Sequence, residues 1–313
     1  RVTYDSVANA RPAVAINDQG DWIACYGRST FVGNGIGAAK KMVTYSRRTT
    51  PGAVAINANG DWICVYSLSC FVGHKTASSK KMVTYNAVPS VAGDVAINDR
   101  GDWICCYSRS TFVGFKTSSS SKMVTYDAVA LAAGSVDINT EGDWIANYSR
   151  STFVGFRREA AGKMVSYDRR TTPGAVAIND RGDWIACYSK STFVGFKRSS
   201  ASKMVAYDEV APAEPAVAIN AAGDWIVNYS RSTFVGYRTS SSSKMVSYPR
   251  RNVPGDVAIN ASGQWVATYS LSTFVGEKRS WASKRVTYDA VPLTAAAVGI
   301  NDQGDWIASY SRT

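Results

Sequence analysis

The sequence predicts an all-β fold, and three observations support that prediction. First, a tryptophan returns every 40 or 41 residues, which is the self-similarity expected of a repeat architecture. Second, each repeat contains four short segments rich in β-branched and aromatic residues, separated by Gly, Asn, Asp and Ser. Third, no stretch shows a sustained apolar stripe with helical spacing. We therefore expect the 313 residues to form one domain, 1–313, made of tandem repeats.

The third repeat illustrates the four expected strands. The first strand is Val95–Asn98, and the turn that follows contains the Asn, Asp and Gly that tolerate tight-turn geometry. The second and third strands, Trp103–Tyr107 and Thr111–Phe115, are expected to form a hairpin across a short polar link. A Ser-rich loop, Thr117–Ser121, then leads to the fourth strand, Lys122–Tyr126. The connection to the next repeat varies by one residue in length, which predicts a surface loop.

Four antiparallel strands in every repeat of this length are typical of a β-propeller. The stretch VAINDRGDWICCYS, Val95–Ser108, also resembles the two inner strands of an NHL-type propeller blade. That resemblance implies that the first strand lines a central channel and that the fourth strand is outermost.

The number of strand copies favours eight blades. The chain contains eight first-strand segments, eight second-strand segments and eight fourth-strand segments, counting Val2–Tyr4, but seven third-strand segments. The eighth blade would then be built from both termini, which would close the ring, and would lack one strand; seven blades are the alternative. Because such a blade exposes unpaired backbone, we expect a second copy of the chain or an additional strand to cover it.

Composition limits the classes of function. The formal net charge of +11 favours acidic partners or anionic surfaces. The six cysteines have neither zinc-site nor disulfide spacing, so we expect free buried thiols and no metal or cofactor. The single histidine, His74, occupies a position that varies between repeats, and no nucleophile or phosphate-binding motif is present. We therefore expect no enzyme activity. No apolar run has the length of a membrane span. The sequence leaves the compartment open between secreted and cytoplasmic.

The strongest candidate for a repeated binding site is the Asp-Trp dipeptide that opens the second strand. A tryptophan ring can stack on the C–H face of a sugar, and a neighbouring carboxylate can accept hydrogen bonds from two hydroxyls. The alternative is structural: the tryptophan would wedge neighbouring blades together and the aspartate would cap its turn. In the seventh repeat Gln264 replaces the aspartate. The candidate carbohydrate-binding residues are Asp21, Trp22, Asp61, Trp62, Asp102, Trp103, Asp143, Trp144, Asp183, Trp184, Asp224, Trp225, Asp305 and Trp306.

Basic residues in the link between the second and third strands form a candidate secondary ring. Arginine forks suit hydroxyl, carboxylate, sulfate or phosphate recognition, whereas the alternative is a set of solvated loop charges paired with nearby aspartates. Leu68 and Leu271 interrupt the series, so any such site would exist in only some blades. The residues are Arg28, Arg109, Arg150, Lys190, Arg231 and Arg312.

Together these features favour a multivalent carbohydrate-binding protein, a lectin, with repeated sugar pockets between blades and with glycans or glycoconjugates as partners. Equal pockets that each bind weakly would gain avidity by simultaneous engagement. In overall character the chain resembles multivalent propeller lectins. Two alternatives stay open: a protein-interaction scaffold, and a binder of anionic polymers, either nucleic acid or a sulfated, anionic polysaccharide, through its positive charge.

Overall fold

The computed structural model describes residues 13–37, 39–45, 52–85, 93–107, 109–126, 134–167, 174–207, 215–248, 255–269, 271–287 and 297–310. All regular secondary structure in these ranges is β-strand, which confirms the all-β prediction. None of these residues belongs to a helix that could span a bilayer.

Within the described ranges, thirty strands form seven four-stranded antiparallel sheets, called blades 1 to 7, and one two-stranded sheet, called blade 8. Blade 1 consists of β1 (Ala13–Ile16), β2 (Asp21–Cys25), β3 (Ser29–Asn34) and β4 (Lys40–Thr44). Blade 2 consists of β5 (Val54–Ile56), β6 (Asp61–Tyr66), β7 (Ser69–His74) and β8 (Ser78–Thr84). Blade 3 consists of β9 (Asp94–Ile97), β10 (Asp102–Cys106), β11 (Ser110–Phe115) and β12 (Ser119–Thr125). Blade 4 consists of β13 (Ser135–Ile138), β14 (Asp143–Asn147), β15 (Ser151–Phe156) and β16 (Ala160–Ser166).

The remaining blades repeat this order. Blade 5 consists of β17 (Val176–Ile178), β18 (Asp183–Tyr188), β19 (Ser191–Phe196) and β20 (Ser200–Ala206). Blade 6 consists of β21 (Ala216–Ile219), β22 (Asp224–Asn228), β23 (Ser232–Tyr237) and β24 (Ser241–Ser247). Blade 7 consists of β25 (Val257–Ile259), β26 (Gln264–Tyr269), β27 (Ser272–Glu277) and β28 (Trp281–Thr287). Blade 8 consists of β29 (Ala297–Ile300) and β30 (Trp306–Ser309).

The blade count agrees with the count of sequence copies. Eight first strands and eight second strands are present, and blade 8 has only these two among the residues that the structure describes. The segment Val2–Tyr4 and the last three residues lie outside the described ranges. Completion of blade 8 from both termini therefore stays a prediction.

The chain divides into two compact units. Unit 1 comprises Arg1–Tyr148 with Phe153–Gly162, and unit 2 comprises Ser149–Thr152 with Lys163–Thr313. Each unit contains complete blades built on the same plan. The expectation of a single domain over 1–313 stays a prediction.

The fourth strand begins earlier than the sequence predicts. We expected Thr117–Ser121 to be a loop, but Ser119–Ser121 belong to β12 and pair with Val113, Gly114 and Phe115 of β11. The backbone ladder continues through the serines because only a short turn separates the strands. The hydroxyl of Ser120 also donates a 3.2 Å hydrogen bond to the carbonyl of Met82 on blade 2. The Ser-rich segment is therefore part of the sheet edge.

The hydrophobic core lies between neighbouring blades. One face of blade 2, including Ile63 and Val83, packs against Trp103 and Cys105 of blade 3. Equivalent clusters join blades 1 and 2, and blades 3 and 4, in unit 1, and join blades 5 and 6, and blades 6 and 7, in unit 2. Since a twisted four-stranded sheet alone cannot bury both faces, each blade depends on its neighbour for burial.

Tyrosines also link the blades. In blades 1 to 6 the tyrosine that follows the fourth strand stacks on the tyrosine that ends the second-strand segment of the next blade, as Tyr45 does on Tyr66 with a centroid separation of 4.4 Å. The hydroxyl of that second-strand tyrosine is buried and hydrogen-bonds to a third-strand threonine of the preceding blade; the Thr30–Tyr66 oxygen distance is 2.8 Å. The same bond joins Thr111–Tyr148, Thr152–Tyr188, Thr192–Tyr229, Thr233–Tyr269 and Thr273–Tyr310.

One blade interface departs from this rule. Blade 2 has Cys70 where the other blades have threonine, and the buried hydroxyl of Tyr107 on blade 3 has no hydrogen-bond partner among the described residues. Burial raises the pKa of Tyr107 well above its usual value, so the hydroxyl stays protonated with an unsatisfied donor. All six cysteines, Cys70 among them, are free and buried, as predicted.

We expect Cys70→Thr to stabilise the protein. The new hydroxyl would satisfy Tyr107 and raise the free energy of unfolding by about 0.5–1.5 kcal/mol, measured by urea denaturation. The Thr30–Tyr66 pair shows that threonine fits beside a cysteine at this interface, since Thr30 Oγ1 lies 3.3 Å from Cys64 Sγ. The matched control is Thr111→Cys, which should destabilise by a similar amount. Equal destabilisation by both substitutions would contradict this account.

Candidate functional site

The tryptophans of the Asp-Trp dipeptides lie inside the protein. Trp62, Trp103, Trp144, Trp184 and Trp225 are 0% exposed, as is Trp265, which follows Gln264, while Trp22 and Trp306, in the first and last blades of the chain, are half-buried. An indole with no exposed surface has no face open to a ligand. Burial therefore favours the structural interpretation of these six residues, as wedges between blades.

Two features of the third strand accommodate each indole. Trp62 pairs across the hairpin with Gly73, and a Cβ atom on this glycine would lie 2.2 Å from the indole ring. The indole N–H of Trp62 donates a 2.9 Å hydrogen bond to the carbonyl of Lys75, thirteen residues later. All seven tryptophans from Trp22 to Trp265 make this bond to the equivalent carbonyl. Glycine in the TFVG segment is thus required by the size of the ring.

The aspartates are buried in a hydrogen-bonded turn. Asn57, four residues before Asp61, accepts the backbone N–H of Asp61 at 2.8 Å and donates to its carboxylate at 3.3 Å. The same Asn57 amide donates to the carbonyl of Asn98 on the next blade at 2.8 Å. Asp61 is 4% exposed, and Asp21, Asp102, Asp143, Asp183 and Asp224 are similarly buried, whereas Asp305 is exposed. The asparagine that ends the first-strand segment therefore caps its turn, and the same bond to the next blade is made by Asn17, Asn57, Asn98, Asn179, Asn220 and Asn260.

Sequence analysis missed a basic residue in the turn after the third strand. The residue thirteen positions after the tryptophan has a left-handed backbone, which costs a non-glycine residue roughly 1–2 kcal/mol. In blades 2, 3 and 6 its side chain reaches back to the aspartate of the preceding blade: Lys75 Nζ lies 3.6 Å from Asp21 Oδ2, Lys116 Nζ lies 4.0 Å from Asp61 Oδ2, and Arg238 Nε lies 3.7 Å from Asp183 Oδ2. The regular spacing from tryptophan was the signal in the sequence. These residues are Lys75, Lys116, Arg157, Lys197, Arg238 and Lys278, with φ from 41° to 45°, and blade 1 has Gly35 in the same place.

The charge of Lys75 affects the acidity of Asp21. Burial opposes ionisation of this carboxyl, but hydrogen bonds from Asn34 and Asn17 and the nearby charge of Lys75 outweigh burial and lower its pKa. Asp21 is therefore a stable carboxylate at neutral pH.

The residue twelve positions after the tryptophan borders the same interface and varies between blades. In blade 1 it is Asn34, whose side-chain amide donates a 2.8 Å hydrogen bond to Asp21 Oδ1. In blade 2 it is His74, whose Nδ1 lies 3.0 Å from Asp61 Oδ1. In blades 3 to 6 it is aromatic and carries the following cation over its ring. The pairs are Phe115–Lys116, Phe156–Arg157, Phe196–Lys197 and Tyr237–Arg238, with 4.9–5.8 Å between cation and ring centroid. Phe115 and Phe196 are 37% and 39% exposed.

A cleft of about 700 Å³ lies between blades 6 and 7. Blade 6 supplies Asp224 and Tyr237, and blade 7 supplies Lys278 and Arg279. The rest of its lining consists of Ala222, Ser243 and Ser280. The cleft thus combines a carboxylate, an aromatic ring, two cations and hydroxyl groups, and we call it the 6/7 cleft.

The predicted secondary ring lies in the links between second and third strands. Arg28, Arg109 and Arg150 are exposed, Lys190 and Arg231 are half-buried, and Arg312 lies outside the described residues. The backbone carbonyls of the five described residues accept hydrogen bonds from the backbone N–H groups of the tyrosines that follow the fourth strands. The carbonyl of Arg109, for example, accepts from the N–H of Tyr126 at 2.7 Å. A second cleft, of about 420 Å³, lies between blades 2 and 3 and contains Arg109 and Lys122 with Thr84, Tyr85, Ser110, Phe112 and Thr125.

In the part of the chain that the structure describes, no group of three or more His, Cys, Asp or Glu residues could hold a metal ion. The imidazole of His74 contacts the carboxylate of Asp61.

We expect Trp103→Ala to unfold or strongly destabilise the protein. Removing a fully buried indole should cost about 3–5 kcal/mol in the free energy of unfolding, measured by chemical denaturation. The half-buried Trp22 is the matched control, and Trp22→Ala should cost less. An unchanged denaturation midpoint for Trp103→Ala would rule out the packing role.

Lys116 allows a test of the left-handed position. Lys116→Gly should be more stable than Lys116→Ala by about 1 kcal/mol, because glycine adopts this backbone conformation without the steric cost. Lys122, in the middle of β12, provides the control, since there glycine should be less stable than alanine. The same order of stability at both positions would be evidence against strain at Lys116.

No protein-family model and no curated protein matches this sequence. Several solved structures match it at low identity. Streptogramin B lyase has a TM-score of 0.53 and 8% identity, over 82% of this chain and 90% of that chain. Virginiamycin B lyase from Staphylococcus aureus has a TM-score of 0.54 and 8% identity, over 89% and 95% of the two chains. The WD40 repeats of RRP9 have a TM-score of 0.52 and 9% identity, over 85% and 88%. Likeness at this identity concerns the fold alone, and together with the repeated four-stranded blades it shows that the chain has a β-propeller fold.

Proposed function

We propose that the protein is a non-catalytic, multivalent carbohydrate-binding protein whose pockets are the clefts between neighbouring blades. The observation that supports this most is the composition of the 6/7 cleft. Its volume of about 700 Å³ is in the range of small-molecule sites. The lining offers an aromatic face at Tyr237, an acceptor at Asp224 and donors at Lys278 and Arg279.

These groups suit a sugar. The C–H face of a pyranose ring packs on an aromatic ring, while the hydroxyls around its edge need both donors and acceptors. Asp224 is 7% exposed and accepts a 3.2 Å hydrogen bond from Asn220, which holds its carboxylate in place. Arg238 lies 5.0 Å from the ring centroid of Tyr237 and orients that ring. The aromatic partner in this proposal is therefore Tyr237, because the neighbouring Trp225 is fully buried.

Other blade interfaces contain the same elements. Between blades 5 and 6, Asp183 and Phe196 occupy the positions of Asp224 and Tyr237, and Arg238 occupies that of Lys278. Between blades 2 and 3, the carboxylate of Asp61 lies 4.0 Å from Lys116 Nζ and His74 stands at the aromatic position. Repetition of related sets of residues at several interfaces supports multivalent binding, in which weak sites act together to give avidity.

We propose no catalysis at these sites. Catalysis needs a nucleophile or acid–base pair poised at a pocket, and the one histidine interacts with Asp61 but with no serine, threonine or cysteine side chain among the described residues.

A protein-interaction scaffold is the second candidate. The fold shared with WD40-repeat structures is compatible with it. In unit 1, Val14 and Ile16 of β1 are 69% and 68% exposed, which is an apolar surface of the kind that protein partners cover. A scaffold would bind a protein independently of its glycans.

The test is binding to a glycan array at two salt concentrations, followed by calorimetry with the best oligosaccharide. We expect an affinity for the oligosaccharide that changes little with salt. Tyr237→Ala should lower the affinity of the 6/7 cleft about tenfold and leave the denaturation midpoint unchanged. Tyr237→Phe keeps the ring and is the matched control, and it should lose less. No glycan binding would contradict the proposal, and binding that falls steeply with salt would indicate an anionic polymer instead.

A further inference from the structure

The 6/7 cleft differs from the corresponding interface between blades 5 and 6 in the pairing of its charges. At the 5/6 interface Asp183 Oδ2 lies 3.7 Å from Arg238 Nε of the following blade and 4.0 Å from Arg181 Nε of its own blade, so both cations are paired with the carboxylate. The 6/7 cleft has Ala222 at the position of Arg181, and it has Arg279 where the 5/6 interface has the uncharged Thr239.

In the 6/7 cleft two cations face one carboxylate. Lys278 and Arg279 are both exposed, and neither makes an ion pair with any residue that the structure describes. Asp224 already accepts a hydrogen bond from the Asn220 amide. The lining residues thus carry one more positive than negative charge, and Arg279, which replaces the threonine of the 5/6 interface, is the source of the excess.

The cations stand beside groups that suit a sugar ring. Tyr237 supplies an aromatic surface and a hydroxyl, and Ser243 and Ser280 supply two more hydroxyls. The Ser280 hydroxyl also donates to the carbonyl of Glu277, so its oxygen stays available to accept a hydrogen bond. A ligand that matches all of these groups has a pyranose ring, free hydroxyls and one anionic substituent.

We propose that the 6/7 cleft is specific for a carboxylate-bearing sugar, such as a uronic acid unit of an acidic oligosaccharide. The sugar carboxylate pairs with the guanidinium of Arg279, whose planar donor fork matches the two oxygens of a carboxylate, and with the ammonium of Lys278. The ring packs on Tyr237, and the carboxylate of Asp224 accepts from a sugar hydroxyl. This inference rests on the proposed carbohydrate-binding function and names the ligand class for one of its sites.

The experiment compares an oligogalacturonate of defined length with its methyl ester, which keeps the ring and removes the charge. Calorimetry on the full chain at physiological ionic strength should show the acid binding about tenfold more tightly than the ester. Arg279→Thr should reduce that preference to about twofold or less. Thr239→Arg, which places the counterpart of Arg279 in the 5/6 interface, should increase the preference or the number of acid-binding sites.

A control variant separates site binding from general attraction to a positive protein. Arg285, exposed on β28 and absent from the cleft lining, is changed to threonine so that the net charge falls equally. The preference for the acid should survive Arg285→Thr, and its loss there would overturn the proposal. Tighter binding of a sulfated oligosaccharide or of single-stranded nucleic acid than of the oligogalacturonate would also overturn it.

The outcomes distinguish this inference from the proposed function. Equal binding of acid and ester would refute the carboxylate specificity and leave carbohydrate binding intact. Binding of neither oligosaccharide, together with an empty glycan array, would refute both.

Discussion

The complete burial of one tryptophan in each of blades 2 to 7 is the constraint on which the rest of the structure depends. A ring as large as Trp103 fits only if the residue opposite is glycine, here Gly114, where a Cβ would lie 2.1 Å from the indole. The indole N–H must also be satisfied, and it bonds the carbonyl of Lys116. That bond holds the turn after the third strand in place, with Lys116 in the left-handed conformation. One buried ring thus determines a glycine, a turn and the position of a charge.

The position of that charge makes the interface electrostatic as well as hydrophobic. Lys116 Nζ lies 4.0 Å from the carboxylate of Asp61 on the preceding blade, and Asn57 joins the same carboxylate to the backbone of Asn98. A buried carboxylate is costly unless hydrogen bonds and an opposite charge compensate it. The asparagine, the aspartate and the cation therefore depend on one another: Asn57 holds Asp61 within its own blade, while the Asn57–Asn98 bond and the Lys116–Asp61 pair cross to the adjacent blade. This mutual dependence explains why the three residue types recur at fixed distances from the tryptophan.

Periodicity and turn chemistry were enough to predict the all-β fold, the four strands of blades 1 to 7 and the buried cysteines. They could not show the direction of the side chains. In the sequence, Trp103 and Asp102 suit a ligand, because an aromatic ring beside a carboxylate has the same residue pattern in a binding pocket and in a core. Only the packing of the neighbouring blade distinguishes the two cases. The left-handed cations were missed because a lysine or arginine in a turn gives no local signal of positive φ, unlike Gly35 in blade 1. The sequence predicts a loop at Ser119–Ser121 because serine has a weak preference for β-strands. In the structure, pairing with the third strand overrides that preference.

The distribution of variation between blades separates positions that packing requires from positions that are free to vary. The tryptophan, its glycine partner and the capping asparagine recur from Trp22 to Trp265, since changing any of them leaves a clash, a void or an unsatisfied donor. The residues twelve and fourteen positions after the tryptophan vary between blades. The residue at the first position is Asn34, His74, a phenylalanine, Tyr237 or Glu277. The residues at the second position include Thr239 and Arg279. In the 6/7 cleft these two positions, Tyr237 and Arg279, line the cavity, where a new side chain meets solvent and disturbs little of the core. Such a scaffold can change the chemistry of one pocket without changing the others, so equal blades are compatible with pockets of different specificity.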